Sequence, residues 1–182
     1  LALLWMLFSA IATSPALAMA GKQLVDDFSV HPVSNWEFVT DQVMGGVSTG
    51  EFAVVEEGDQ VYARMVGEVS TKNNGGFIQF RRKMGVSDPE SVSGVYLIVR
   101  GNGQGYFVHL RSRWTLLPWQ YYQAPFETTE EWKELRISLD QFRRSSRVLP
   151  EKISAKDVRS LGIVAFGRDH NAEVSVREVG FF

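Results

Sequence analysis

The chain has 182 residues, of which 45% are hydrophobic and 22% charged, with a net charge of −2 at pH 7. That length suits one domain with a real core, and the charge gives no global case for nucleic acid or anionic membranes as partners. Cysteine is absent, which excludes thiol catalysis, thiolate zinc sites, iron–sulfur clusters and disulfide staples.

Leu1 to Ala12 is almost wholly apolar, and Ser14-Pro15-Ala16-Leu17-Ala18-Met19-Ala20 offers two A-x-A cleavage options, after Ala18 or after Ala20. This is the pattern of a secretory signal peptide, and the apolar run is short of the roughly 20 residues that a membrane span needs. No basic n-region and no initiator Met precede it, as in a chain truncated at its start. The expectation is a signal peptide over residues 1–20, cleaved to leave Met19 or Gly21 at the N-terminus, and a periplasmic or secreted location. Retention of residues 1–20 as a membrane anchor is the alternative.

From residue 21 onward strand signals dominate. The predicted strands are Gln23–Phe28, Trp36–Thr40, Glu51–Val55, Val61–Val69, Phe77–Arg82, Val95–Arg100, Tyr106–Arg113, Gln120–Phe126, Lys133–Ser138, Gly162–Phe166 and Glu173–Phe181. Short runs rich in Val, Phe and Tyr, separated by Gly, Pro, Asn or Asp, predict an all-β antiparallel sandwich. Helix is limited to single turns at Leu139–Phe142 and near Ser154-Ala155-Lys156-Asp157, where Ser154 can cap. There is no repeat, low-complexity tract or linker, so residues 21–182 read as a single β-sandwich domain.

Two glycine loops punctuate the strands: Asp41-Gln42-Val43-Met44-Gly45-Gly46-Val47-Ser48 and Ser70-Thr71-Lys72-Asn73-Asn74-Gly75-Gly76-Phe77. Glycine pairs mark turns needing positive φ or a close approach of another backbone or a ligand. As a site, the first loop would offer N–H groups freed by Gly45 and Gly46, with Asp41 and Ser48 as polar anchors. As pure structure, Asp41 caps turn amides and Met44 plugs the core edge. Asn73 and Asn74 tolerate left-handed backbone, so the second loop has the same two readings.

Alternation assigns faces in the middle strands. Tyr106, Val108 and Leu110 point to the core, and Phe107, His109, Arg111 and Arg113 point away from it. Ile78 and Phe80 point in, and Gln79 and Arg81 out. No Asp or Glu occurs from residue 91 to 126, so Arg81, His109, Arg111 and Arg113 are expected to form one exposed patch that engages an anionic group. The alternative is pairing across the sheet by carboxylates such as Glu68 or Glu134. Trp114, Trp119, Tyr121 and Tyr122 suit stacking on sugar rings, with about half of these rings expected in the core and Trp132 buried. Arg143-Arg144-Ser145-Ser146-Arg147 reads as a solvated loop.

Catalytic readings are weak. Ser48, His109 and Asp41 make a triad only on paper, since no nucleophile elbow surrounds Ser48. His31, His109 and His170 lack metal-ligand spacing, and His31 and His170 read as loop residues. Asp26, Asp27 and Asp169 do not supply the six or more oxygens of a calcium site. No motif asks for a cofactor, and the paired carboxylates of most glycosidases are not found.

The segments Leu24-Val25-Asp26-Asp27-Phe28, Trp36 through Ser48, Gly67-Glu68-Val69-Ser70 into Asn73-Asn74-Gly75-Gly76-Phe77, Trp119 to Phe126 and Trp132-Lys133-Glu134-Leu135 together resemble the complex I intermediate-associated protein 30 family. The resemblance implies a jelly-roll sandwich of galactose-binding-like fold without known catalytic residues. Mitochondrial members of that family are assembly factors for respiratory complex I on the matrix side, which corresponds to the bacterial cytoplasm, whereas a cleaved signal would place this chain on the other side. The fold therefore transfers more safely than the role. Two functions are expected on these grounds: a non-catalytic module that assists maturation of a protein complex, or an exported carbohydrate-binding module acting on envelope or extracellular glycans.

Overall fold

The computed structural model describes residues 21–30 and 33–182; the signal-peptide reading of residues 1–20 and His31 lie outside them. Two antiparallel sheets carry the fold. The first is ordered β3 (Thr49–Glu57), β4 (Gln60–Val69), β12 (His170–Phe181), β6 (Gly94–Gly101) and β9 (Lys133–Ser138), with β1 (Gln23–Asp26) paired to the end of β12. The second is ordered β10 (Arg143–Arg144), β8 (Tyr122–Glu127), β7 (Gly105–Ser112), β11 (Val158–Phe166), β5 (Phe77–Lys83) and β2 (Glu37–Thr40). Helical structure among the described residues is limited to short 3-10 turns. At Leu139–Gln141, Ser138 and Gln141 form a reciprocal capping box. Every predicted strand is present. Arg143–Arg144, read from sequence as loop, pairs with Gln123 and Tyr122 as an edge strand, and His170 opens β12.

The alternation reads out as expected. Ile78 and Phe80, and Tyr106, Val108 and Leu110, are fully buried in one cluster with Met65, Leu97, Val99, Val174 and Val176 of the first sheet. Phe52 on β3 stacks on Phe80 on β5 with centroids 4.7 Å apart, joining the two layers. Burial of such side chains stabilises by roughly 1.5–3 kcal/mol each before chain entropy is counted. One end of the core is closed by the buried Asp26, which accepts from Trp36 Nε1 (2.8 Å), Arg82 Nη1 (2.6 Å) and the amide of Phe28 (2.8 Å). The last bond secures Phe28, which sits at φ 60 with its ring buried.

Gly50 and Gly67 face each other across β3 and β4, where Ile78 reaches over from the opposite sheet. A Cβ on Gly67 would lie 2.8 Å from Gly50 Cα and 2.8 Å from Ile78 Cδ1. Gly67→Ala is therefore expected to destabilise the fold by about 1–3 kcal/mol through overpacking, read as a lower urea midpoint with an unchanged m-value.

Candidate functional site

The two glycine loops meet on one buried carboxylate. Asp41 has no exposed surface and accepts hydrogen bonds from Ser48 N (2.9 Å), Ser48 Oγ (2.5 Å), Gly76 N (2.5 Å) and Phe77 N (3.3 Å). Ser48 Oγ in turn accepts from Ser70 N at 3.0 Å. The glycines are explained by this contact: a Cβ at Gly46 or at Gly75 would fall on the Asp41 carboxylate, and Gly75 stands against Gly46 Cα. Gly45 adopts φ 90 to end the turn over Asp41–Met44, while Asn73 and Asn74 both sit at φ 57. Burial alone would raise the Asp41 carboxyl, but the bonds from Ser48, Gly76 and Phe77 outweigh it and hold the group below its usual range.

On the outer face of the second sheet lies an open groove of about 1170 Å³. Strand register sets its floor. Glu37, Arg81, Gly162 and His109 follow one another across β2, β5, β11 and β7, and two residues along the strands Arg111 faces Ser160. Gly162 keeps the centre low, between Arg81 and His109. One wall is the Asp41–Ser48 loop with Val43 and Met44, and the other is the segment after β7 with Pro118, Trp119 and Tyr121. Met44 and Trp119 are each 63% exposed.

The charges on the floor are distinct. Arg81 pairs with Glu37 at 3.0 Å, whose carboxyl is lowered chiefly by that hydrogen bond. Arg111 Nη2 donates to the carbonyls of Thr115 (3.3 Å) and Leu117 (3.0 Å) and has no carboxylate partner among the described residues. His109 stacks flat on Tyr121, with ring centroids 4.1 Å apart at 11°. Burial pushes its imidazole down to about 3, with a hydrogen-bonding contact to Gln123 acting the other way, so His109 is neutral at physiological pH. His109 and Gln123 face each other across β7 and β8, but His109 Nε2 and Gln123 Oε1 are buried without a well-aligned hydrogen bond among the described residues.

The structure thus brings Arg81, His109, Arg111 and Tyr121 to one groove, but not as the four-membered exposed patch expected. His109 is buried beneath Tyr121, only 9% exposed. Arg113 lies past the end of β7, bound to Asp157 at 2.8 Å and resting on the Trp114 ring, outside the groove lining. The carboxylates that neutralise Arg81 and Arg113 are Glu37 and Asp157, not Glu68 or Glu134; Glu134 serves Lys22 and Arg136 in the other sheet.

Asp41 and Ser48 face each other rather than a ligand. The amides of Gly45 and Gly46 are likewise taken internally, by the carbonyls of Gln42 and Asp41. Of the two asparagines, Asn74 lines the groove and Asn73 does not. Met44 forms wall, not core. Tyr122 enters the core while Trp114 and Trp119 stay exposed, and Trp132 is half-buried. No triad forms, because His109 makes no hydrogen bond to Ser48 or Asp41. Asp169 accepts from the amide and hydroxyl of Thr71, and no cluster of three or more His, Asp or Glu suited to a metal occurs among the described residues. The groove-lining Gln79, Ser160 and Gly162 escaped sequence reasoning as site residues, although strand parity beside Arg81 and Arg111 marks them.

A family model, complex I intermediate-associated protein 30, matches residues 27–175. The chain belongs to that family. No curated protein sequence matches it. Among solved structures it is similar to a family 11 carbohydrate-binding module of the cellulosomal cellulase Lic26A-Cel5E of Clostridium thermocellum, with TM-score 0.70, 13% identity, and 88% of this chain and 94% of that one covered. A second structure of a family 11 module from that organism, in complex with a β-1,3-1,4-mixed-linked tetrasaccharide, gives TM-score 0.69 and 13% identity over 88% and 95% of the two chains. An exo-β-agarase gives TM-score 0.57 and 8% identity, covering 88% of this chain and 25% of that one. These likenesses establish a β-sandwich fold shared with carbohydrate-binding modules.

Asp41→Asn would set amide hydrogens against the N–H groups of Ser48 or Gly76. A loss of about 2–4 kcal/mol is expected, measured by thermal unfolding at pH 7. A carboxyl held low in the folded state stabilises above its unfolded pKa and loses that effect as pH falls through the folded value. The gap between wild type and variant should therefore close below about pH 4.

Proposed function

We propose that this member of the complex I intermediate-associated protein 30 family is a non-catalytic binding module that holds a glycan in the groove of its second sheet. The observation that carries this reading is the pairing of exposed and half-buried rings, Trp119 and Tyr121, with a polar floor of Gln79, Arg81, His109 and Arg111. Sugars present apolar ring faces and a rim of hydroxyls, so a site for them combines flat aromatic surface with convergent hydrogen-bonding groups. The groove is open and exceeds the roughly 300–1,000 Å³ of a typical small-molecule pocket, which fits an oligomer better than a metabolite. The fold shared with carbohydrate-binding modules supports the same reading. We further propose that the domain works outside the cytoplasm, as the apolar segment ending in Ala-x-Ala implies; among the described residues no helix is long and apolar enough to cross a membrane.

A second reading has its own observation. Val43, Met44, Val47, Leu116 and Leu117 are exposed apolar side chains, and Val43 and Met44 line a groove wall. Exposed apolar patches rimmed by polar groups commonly mark protein interfaces. A partner protein seated there would match the assembly role that the family's name carries.

A glycan array followed by titration calorimetry separates the two. On the glycan reading, Trp119→Ala weakens oligosaccharide binding at least tenfold and leaves the melting temperature within about 2 °C, because the ring is largely solvent-exposed. Array-wide silence, with a folded protein, would reject that reading in favour of the partner.

A further inference from the structure

We propose that the glycan carries an oxyanion substituent, a carboxylate or a sulfate ester, and that Arg111 is the side chain that grips it; this rests on the glycan reading of the groove. In the first sheet Arg64 is paired with Glu173, Arg100 with Glu57, and Arg136 and Lys22 with Glu134, while Arg177 lies on the Trp132 ring. In the groove, Arg81 and Glu37 cancel each other. Arg111 remains as the uncompensated charge of the floor. Arg143, Arg144 and Arg159 also lack a carboxylate, but they lie outside the groove and donate to carbonyls of their own loops.

The setting of Arg111 suits capture of an anion. Both of its hydrogen bonds leave from Nη2, to Thr115 O and Leu117 O. Those two carbonyls belong to the segment that carries Trp119, and they fix the guanidinium while its Nε and Nη1 hydrogens keep no acceptor among the described residues. A planar fork oriented in advance binds a carboxylate or sulfate bidentately with less ordering cost than a free side chain. Burial and the neighbouring Arg81 both disfavour the charge on Arg111, and an arriving anion relieves both. The Ser160 hydroxyl, opposite Arg111 on β11 and also lining the groove, offers a further donor. His109 is neutral and adds no competing charge.

The test is calorimetric titration of the full chain with three oligosaccharides of equal length: a polyuronate, a sulfated galactan and a neutral β-1,3-1,4-glucan. At least one anionic oligomer is expected to bind tenfold or more tightly than the neutral one, and whichever does so identifies the substituent. That preference should shrink as salt rises from 0.05 to 0.5 M, which needs no variant. Arg111→Gln should bring the anionic oligomer down to the neutral level, and Arg111→Lys, which keeps charge without the fork, should recover only part. Trp119→Ala should weaken all binding alike. Equal affinity for neutral and anionic oligomers would overturn the role of Arg111 while leaving the glycan reading intact. No binding of any of the three would overturn both.

Discussion

The buried carboxylate of Asp41 fixes the relation between two segments about thirty residues apart in sequence. Its oxygens gather amides from Ser48, Gly76 and Phe77 and the hydroxyl of Ser48, and the chain can come that close only because Gly46 and Gly75 have no side chain to interpose. An ionised group without exposed surface is tolerated when several N–H and O–H donors replace its water. The consequence reaches beyond the tie. Because the Asp41–Ser48 loop is pinned at its base, Val43 and Met44 are held up as a wall, and the sheet face beneath becomes a groove rather than a flat surface.

The two outer faces of the sandwich then diverge in character. On the first sheet, arginines are met by carboxylates or lie on rings: Arg100 contacts Glu57 and stacks over Tyr62 and Trp132, and Arg177 also stacks over Trp132. Such pairs contribute little stability each, but they leave a neutral, solvated surface. On the second sheet, glycine at position 162 and the stacked His109 and Tyr121 lower and flatten the floor, while apolar and aromatic walls rise at both sides. The groove is thus confined to one face of the molecule by the placement of loops, not by any difference in the core.

What was legible in the sequence follows from the range of the interactions involved. Strand alternation is local, so the inward Tyr106, Val108 and Leu110 and the outward Gln79 and Arg81 were readable directly. So was the pairing of the glycine loops as a feature, because Gly-Gly among polar residues implies tight backbone. Which charges meet was not readable. Arg113 and Asp157, or Arg81 and Glu37, are brought together by sheet order, and parity says only which face each side chain takes. His109 carried the correct parity yet became buried, since Tyr121 arrives from the next connection to cover it. Met44 looked like core because methionine usually is. The turn that raises it depends on Asp41 finding Gly76, a contact with no local signature.

Family and fold point in different directions for function. The family is named for association with a complex I intermediate, while the similar solved structures include carbohydrate-binding modules. Fold alone assigns neither role. A protein interface of standard size needs roughly 800 Å² per partner with a dry apolar centre. Here Val43, Met44 and Trp119 stand on the walls, and the floor sets Phe77, Val164 and Phe166 beside two arginines, a glutamate, a glutamine and a neutral histidine. A hydroxyl-rich ligand can meet the polar groups of the floor with hydrogen bonds and the rings with its apolar faces. On the glycan reading the walls contribute stacking and the floor hydrogen bonds; on the partner reading the same apolar walls are the docking platform.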